Sequence, residues 1–97
     1  MERLSIEPGR IVLSRQGRDE GRYFVILEVV DEQFVMMADG LTRKLAHPKK
    51  KKIKHIKPLG FILDSLKDKL ETNVKISNSD VRKAIRTAMG SYEISKD

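Results

Sequence analysis

Lys49, Lys50, Lys51 and Lys52 stand side by side, with Lys54 and Lys57 close behind and Arg43 and Lys44 shortly before. These eight cations share residues 41–60 with no Asp or Glu, so that stretch carries +8, against −3 for residues 1–40 and +1 for residues 61–97. The net charge of +6 therefore conceals a segregated pattern. Segregated positive charge suits a polyanion, because each phosphate that meets a Lys or Arg releases condensed counterions. A run of lysines also serves as a solvated loop that keeps a protein soluble, and alone it is a weak signal. A second set of cations, Arg15, Arg18 and Arg22, flanks Gly17 and Gly21. Glycine allows positive φ and lets backbone N–H groups approach an anion, while guanidinium forks match phosphate oxygens and stack on bases. Asp19 and Glu20 in the same loop oppose phosphate locally, although an Asp in such a place also serves as a turn acceptor.

Other chemistries are poorly provided for. There is no Cys, which excludes a disulfide framework and a thiolate metal site. His47 and His55 lie among lysines without a carboxylate cluster, so no metal site is expected. No Ser is marked as activated, and no GxxxxGK[ST] or GxGxxG run exists; Gly17 to Gly21 is too short for either. No catalytic residue, cofactor or small-molecule substrate is expected, and the chain does not read as an enzyme. With only three Phe and two Tyr, and with Tyr23, Phe24 and Phe34 in apolar, strand-like contexts, the aromatics read as core. That disfavours base-by-base reading of single strands and favours recognition of shape and backbone in a folded nucleic acid.

The elements that position these residues change character midway. Arg10–Ser14 is a short β-branched run after a Pro8-Gly9 turn, and the segment from Tyr23 to Val30 is apolar at nearly every position. Such a run fits a strand in a small barrel, where both faces are partly covered. Asp31-Glu32 reads as a tight turn into Gln33–Ala38, and Asp39-Gly40 as a hairpin turn. Arg43–Ala46 and Ile53–Ile56 are the fourth and fifth candidate strands, and the β half is expected to end near Pro58-Leu59-Gly60. Turn signals this closely spaced leave no room for crossover helices, so a small barrel is expected rather than a layered α/β sheet. Leu59, Ile62, Leu63, Leu66 and Leu70, then Val81, Ala84, Ile85, Ala88 and Met89, form two helical stripes. These read as packing surfaces. Ser77 or Ser79 caps the second helix, Asp80 sits at the positive end of its dipole, and Gly90 is its expected stop.

Pro8-Gly9-Arg10-Ile11-Val12, then Gly17-Arg18-Asp19-Glu20-Gly21-Arg22, then the strand ending Leu27-Glu28-Val29, resembles a KOW motif. Val35–Arg43 with its Asp39-Gly40, His47-Pro48-Lys49 and Lys54-His55-Ile56 are similar to the KOW-bearing large-subunit ribosomal proteins of archaeal and eukaryotic type, which have small stand-alone relatives in bacteria. The resemblance covers about residues 6–58. Tyr23-Phe24 replaces the further glycine of many KOW loops, which points away from the elongation-factor branch. The resemblance implies an SH3-like barrel that binds structured ribosomal RNA.

The expected protein is thus mainly β with a helical C-terminal tail. A small SH3-like barrel of about five strands occupies residues 1–58, and two helices form an extension over 59–97. Its expected RNA-binding residues are Arg15, Arg18, Gly21, Arg22, Arg43, Lys44, Lys49, Lys50, Lys51, Lys52, Lys54 and Lys57. The lysine run is expected to be mobile in the free protein, since like charges repel. RNA, and with it ribosomal proteins, are the expected partners. The absence of a spanning apolar run and of a signal-type N-terminus leads to the expectation of a soluble, cytoplasmic protein. Two alternatives remain at this level: a protein-interaction or architectural module, and a DNA-binding factor.

Overall fold

A computed structural model describes residues 4–72 and 75–94. Five strands, β1 (Arg10–Ser14), β2 (Tyr23–Val29), β3 (Phe34–Ala38), β4 (Lys49–Lys52) and β5 (Ile56–Ile62), precede two helices, α1 (Asp64–Glu71) and α2 (Asn78–Ile94). The strands form one antiparallel sheet in the order β4-β3-β2-β1-β5. The architecture is the expected one, a small SH3-like sheet followed by helices, but the sheet does not close into a full barrel. A 3-10 turn, Ile53–His55, links β4 to β5, the two strands at the ends of that order.

Alternation along the strands gives the sheet two apolar faces. Val12, Phe24, Ile26, Val35, Met37 and Ile56 fill one side, with Ile6 and Ile53 at its margin. Val25 points the other way and is buried with Leu66 of α1 and Val81 of α2, while Leu27, Leu63, Leu70, Ile76 and Ile85 pack around them. β2 is therefore apolar on nearly every residue because the sheet's own core and the helices cover its opposite faces. Leu63, Leu66 and Leu70 of the first expected stripe and Val81 and Ile85 of the second are packing surface, as expected.

Several expectations need correction. The fifth candidate strand, Ile53–Ile56, is instead a 3-10 turn over Ile53–His55, and only Ile56 belongs to β5. The segment Arg43–Ala46 is not a strand. Asp39 accepts hydrogen bonds from the N–H groups of Leu41 (2.9 Å) and Arg43 (2.8 Å) and from the Thr42 hydroxyl (2.8 Å), so its carboxylate organises a loop instead of a hairpin. The lysine run, expected to be mobile, forms strand β4, each residue paired with β3 from Phe34↔Lys52 to Met37↔Lys49. The sheet also continues beyond Pro58-Leu59-Gly60, since β5 runs to Ile62. Leu59 and Ile62 consequently belong to a strand, and α1 begins at Asp64.

The start of α2 matches its sequence signal. Ser77 Oγ accepts from the Asp80 N–H (3.1 Å), and Asp80 Oδ2 accepts from the Ser77 N–H (3.0 Å), a reciprocal capping box. The Ser77 N–H, and then the Ser77 hydroxyl, hold the Asp80 carboxyl below its usual range. Gly90 does not stop the helix, which continues to Ile94; a glycine inside a helix costs about 1 kcal/mol relative to Ala without ending it. Near its start, α2 also clasps the Asp39 loop. Asn78 Oδ1 accepts from the Leu45 N–H (2.8 Å), and Arg82 donates to the Gly40 carbonyl (2.7 Å). Gly40 has φ +75°, and a Cβ there would lie 2.3 Å from the Asn78 carbonyl oxygen. Only glycine fits this contact.

Candidate nucleic-acid interface

The loop from Arg15 to Arg22 is held at both ends. Ser14 N–H donates to the Arg22 carbonyl (3.0 Å), and Gly21 N–H donates to the Ser14 carbonyl (2.9 Å). Gly17 and Gly21 both have positive φ, as their spacing suggests, and a Cβ on Gly21 would meet nothing within 4 Å. Glycine is required there by the backbone conformation alone. The Gly21 N–H is spent on Ser14, so this loop does not offer that donor to an anion.

Side chains then divide into those used by the fold and those facing solvent. Asp19 is only 5% exposed and accepts from Arg43 Nε and Nη2, the latter at 3.0 Å. The carboxylate that seemed to oppose phosphate is thereby neutralised by Arg43, and Arg43 is itself occupied. Arg15, Arg18 and Arg22 are exposed and form no ion pair among the described residues. The loop presents three guanidiniums and Glu20.

β4 abuts this loop through Lys51. That residue is 7% exposed, lies opposite Val35, and donates its ammonium to the Gln16 carbonyl. Its stem covers apolar surface while its charge caps the loop. Arg15 N–H donates to the His55 carbonyl (2.8 Å), a second link between the loop and the segment after β4. Together these two bonds tie the loop to β4 and to the 3-10 turn. Lys50 and Lys52 are exposed, and the Lys50 ammonium stands 4.6 Å above the Phe34 ring. Phe34 thus supports a cation. Lys49 is half-buried, while Lys44, Lys54 and Lys57 are exposed.

Of the residues expected to contact RNA, the structure brings Arg15, Arg18, Gly21, Arg22, Arg43 and Lys51 together around one loop. It turns Arg43 and Lys51 inward as supports. Burial, and then the neighbouring Lys54, Lys52 and Lys51, hold the His55 imidazole below its usual range. Gln16 and His55 were not among the expected residues, because they contribute main-chain carbonyls that no side-chain pattern reveals. Neither were Arg82 and Arg86, one helical turn apart on either side of Ile85. With Arg22, Tyr23 and Leu41 they line a shallow groove of about 350 Å³ between the loop and α2. Among the described residues, no cluster of three or more His, Cys, Asp or Glu could hold a metal ion. No described helix is long and apolar enough to cross a membrane.

No protein-family model matches the chain. Curated relatives do match. The chain is 32% identical over 73 residues to the large ribosomal subunit protein eL14 of Methanococcus maripaludis, covering 75% of this chain and 88% of the relative. It is 30% identical over 89 residues to eL14 of Hyperthermus butylicus, covering 87% of this chain and 79% of the relative. Against eL14 of Staphylothermus marinus it is 35% identical over 60 residues, 62% of each chain, so the match spans less than two thirds of that relative. The longest of these alignments must take in more than half of the segment after residue 58, which the motif resemblance did not reach.

Proposed function

Because the chain belongs to the eL14 family of large ribosomal subunit proteins, we propose that it is a ribosome-associated protein of the cytoplasm that holds structured ribosomal RNA by backbone and shape. The family is one of ribosomal proteins, not of enzymes. The observation that carries the RNA assignment is the solvent-facing guanidinium set, Arg15, Arg18 and Arg22, on a loop whose buried carboxylate is already paired. Lys50 and Lys52 on edge strand β4, Lys54 in the 3-10 turn and Lys57 on β5 are further exposed cations. Arg43, Lys51 and Gly21 support the loop, while Lys44 is exposed and Lys49 half-buried. The apolar helix stripes are consumed in packing, which favours this reading over a protein-docking module.

Four to six phosphate contacts would give a log–log salt slope of roughly −3 to −5. Electrophoretic comparison of ribosomal RNA, unrelated structured RNA and duplex DNA at matched salt tests the reading. Arg18→Ala with Arg22→Ala is expected to weaken RNA binding and flatten the slope by about 1 to 2, while the thermal midpoint stays nearly unchanged. Equal affinity for the DNA duplex would turn the assignment toward DNA. Indifference to every nucleic acid at low salt would end it.

A further inference from the structure

The groove between the loop and α2 is lined by Arg22, Tyr23, Leu41, Arg82, Ile85 and Arg86. Its character differs from that of the lysine surface, because cations and apolar groups alternate within one concavity. Leu41 is 63% exposed, the most exposed large apolar side chain among the described residues. Arg22 and Arg86 are exposed and form no ion pair among the described residues, whereas Arg82 donates to the Gly40 carbonyl. Asp39 is the lone carboxylate among the described residues lining the groove, and it already accepts from two backbone N–H groups and the Thr42 hydroxyl. Burial works to raise its pKa, but those donors outweigh it and hold the group ionised at neutral pH. The balance of formal charge in the groove is therefore positive.

A ligand that satisfies such a site must be anionic at one end and flat or apolar at the other. A nucleotide has this chemistry: guanidinium planes pair with phosphate and stack on bases, and an aromatic ring or aliphatic side chain covers a base face. A volume of about 350 Å³ is at the small end for ligand pockets, which suits one nucleotide and not a strand. Arg22 belongs to both this groove and the loop, so a backbone lying on the loop leads directly into it. We infer that this groove seats a single unstacked nucleotide of the bound RNA, with Arg22 and Arg86 on its phosphate and Tyr23, Leu41 and Ile85 against its base. The inference rests on the RNA reading above and adds a specificity element to it, since a bulged or flipped nucleotide marks one place in an otherwise regular helix.

The test compares two short RNA hairpins, one fully paired and one with a single bulged nucleotide replaced by fluorescent aminopurine. Fluorescence anisotropy reads affinity, and aminopurine emission reads the environment of the base. Arg86→Gln is expected to weaken binding of the bulged hairpin and to flatten its salt slope by about 0.7 to 0.9. Leu41→Ser is expected to cost about fivefold on the bulged hairpin, the low end of one stacking contact, with the slope unchanged and the paired hairpin unaffected. Both side chains are exposed, and an unchanged thermal midpoint confirms that the variants fold. Arg18→Ala, outside the groove, should weaken both hairpins alike. If Arg18→Ala weakens both hairpins while Arg86→Gln and Leu41→Ser bind them as the wild type does, the groove proposal is overturned and the RNA reading stands. If the wild type binds ribosomal RNA but neither hairpin, the groove proposal falls alone; if it binds no nucleic acid at low salt, both fall. If the groove variants instead lose binding to a Glu-rich peptide bearing one Trp, the groove docks protein and the nucleotide assignment is wrong.

Discussion

Cationic side chains in this protein divide between those turned to solvent and those engaged inside the fold, and sequence alone does not separate the two. Arg43 and Lys51 lie in the same charged stretch as Lys52 and Lys54, yet the first two turn inward to Asp19 and to the Gln16 carbonyl. Their partners are distant in sequence, so composition cannot reveal which cations are already engaged. Arg43→Gln should therefore destabilise the fold by about 1–3 kcal/mol, because it leaves a buried carboxylate short of its charged donor. Denaturant titration measures this, and Arg43→Lys should recover only part of the loss, since an ammonium lacks the forked geometry. A stability equal to wild type for Arg43→Gln would show that Asp19 does not depend on it. The exposed arginines of the loop were legible, because a glycine-bracketed cationic loop has no role in a core. The spent N–H of Gly21 was not, because it depends on how the hairpin closes.

At the level of elements, strands with apolar pattern were readable and strands without it were not. β1 has the predicted limits, and β2 and β3 differ from prediction by one residue each. β4 is four lysines, a residue type depleted in strands, and it is a strand only because β3 offers an unpaired edge. β5 contains Pro58 and Gly60, which read locally as punctuation, but a proline is tolerated in a strand at the end of a sheet. The predicted strand at Arg43–Ala46 fails because one carboxylate, Asp39, ties down the backbone before it can extend. The start of α2 was legible because capping is local chemistry. Ser77→Ala is expected to lower stability by about 1 kcal/mol, read from the chemical-denaturation midpoint. A change within error would mean that water caps this helix equally well.

For the molecule as a whole, the fold couples distant segments through a few charged contacts whose pH response can be stated in advance. Glu7 pairs with Lys67 and joins the N-terminal segment to α1. The hydrogen bond to Lys67, followed by that from Ser5, holds the Glu7 pKa below its ordinary 4.5. Stability from this group is complete above that value and is lost as the pH falls through the lowered one. Asp39 and Asp80, also lowered from 3.8, act in the same direction. Lys67 is raised above 10.5, chiefly by Glu7, so its contribution is complete below that pH and disappears as the pH climbs through the raised value. His55, lowered from 6.5, adds a loss as the pH falls below 6.5. The thermal midpoint should be level between 6.5 and 10.5 and should decline on both sides. Glu7→Gln should flatten the alkaline decline and part of the acid one; a profile that overlays wild type would refute the linkage. Docking of the helices on β2 was only half legible: the stripes were evident, but their target was not, since it requires the sheet to be already formed. At each rim of a sheet a bare strand normally invites the strand of another molecule. Repulsion among lysines guards one rim, and the donor missing from Pro58 guards the other. Free copies thus resist sticking to their siblings, and concentrated electrolyte weakens the first of these protections but not the second.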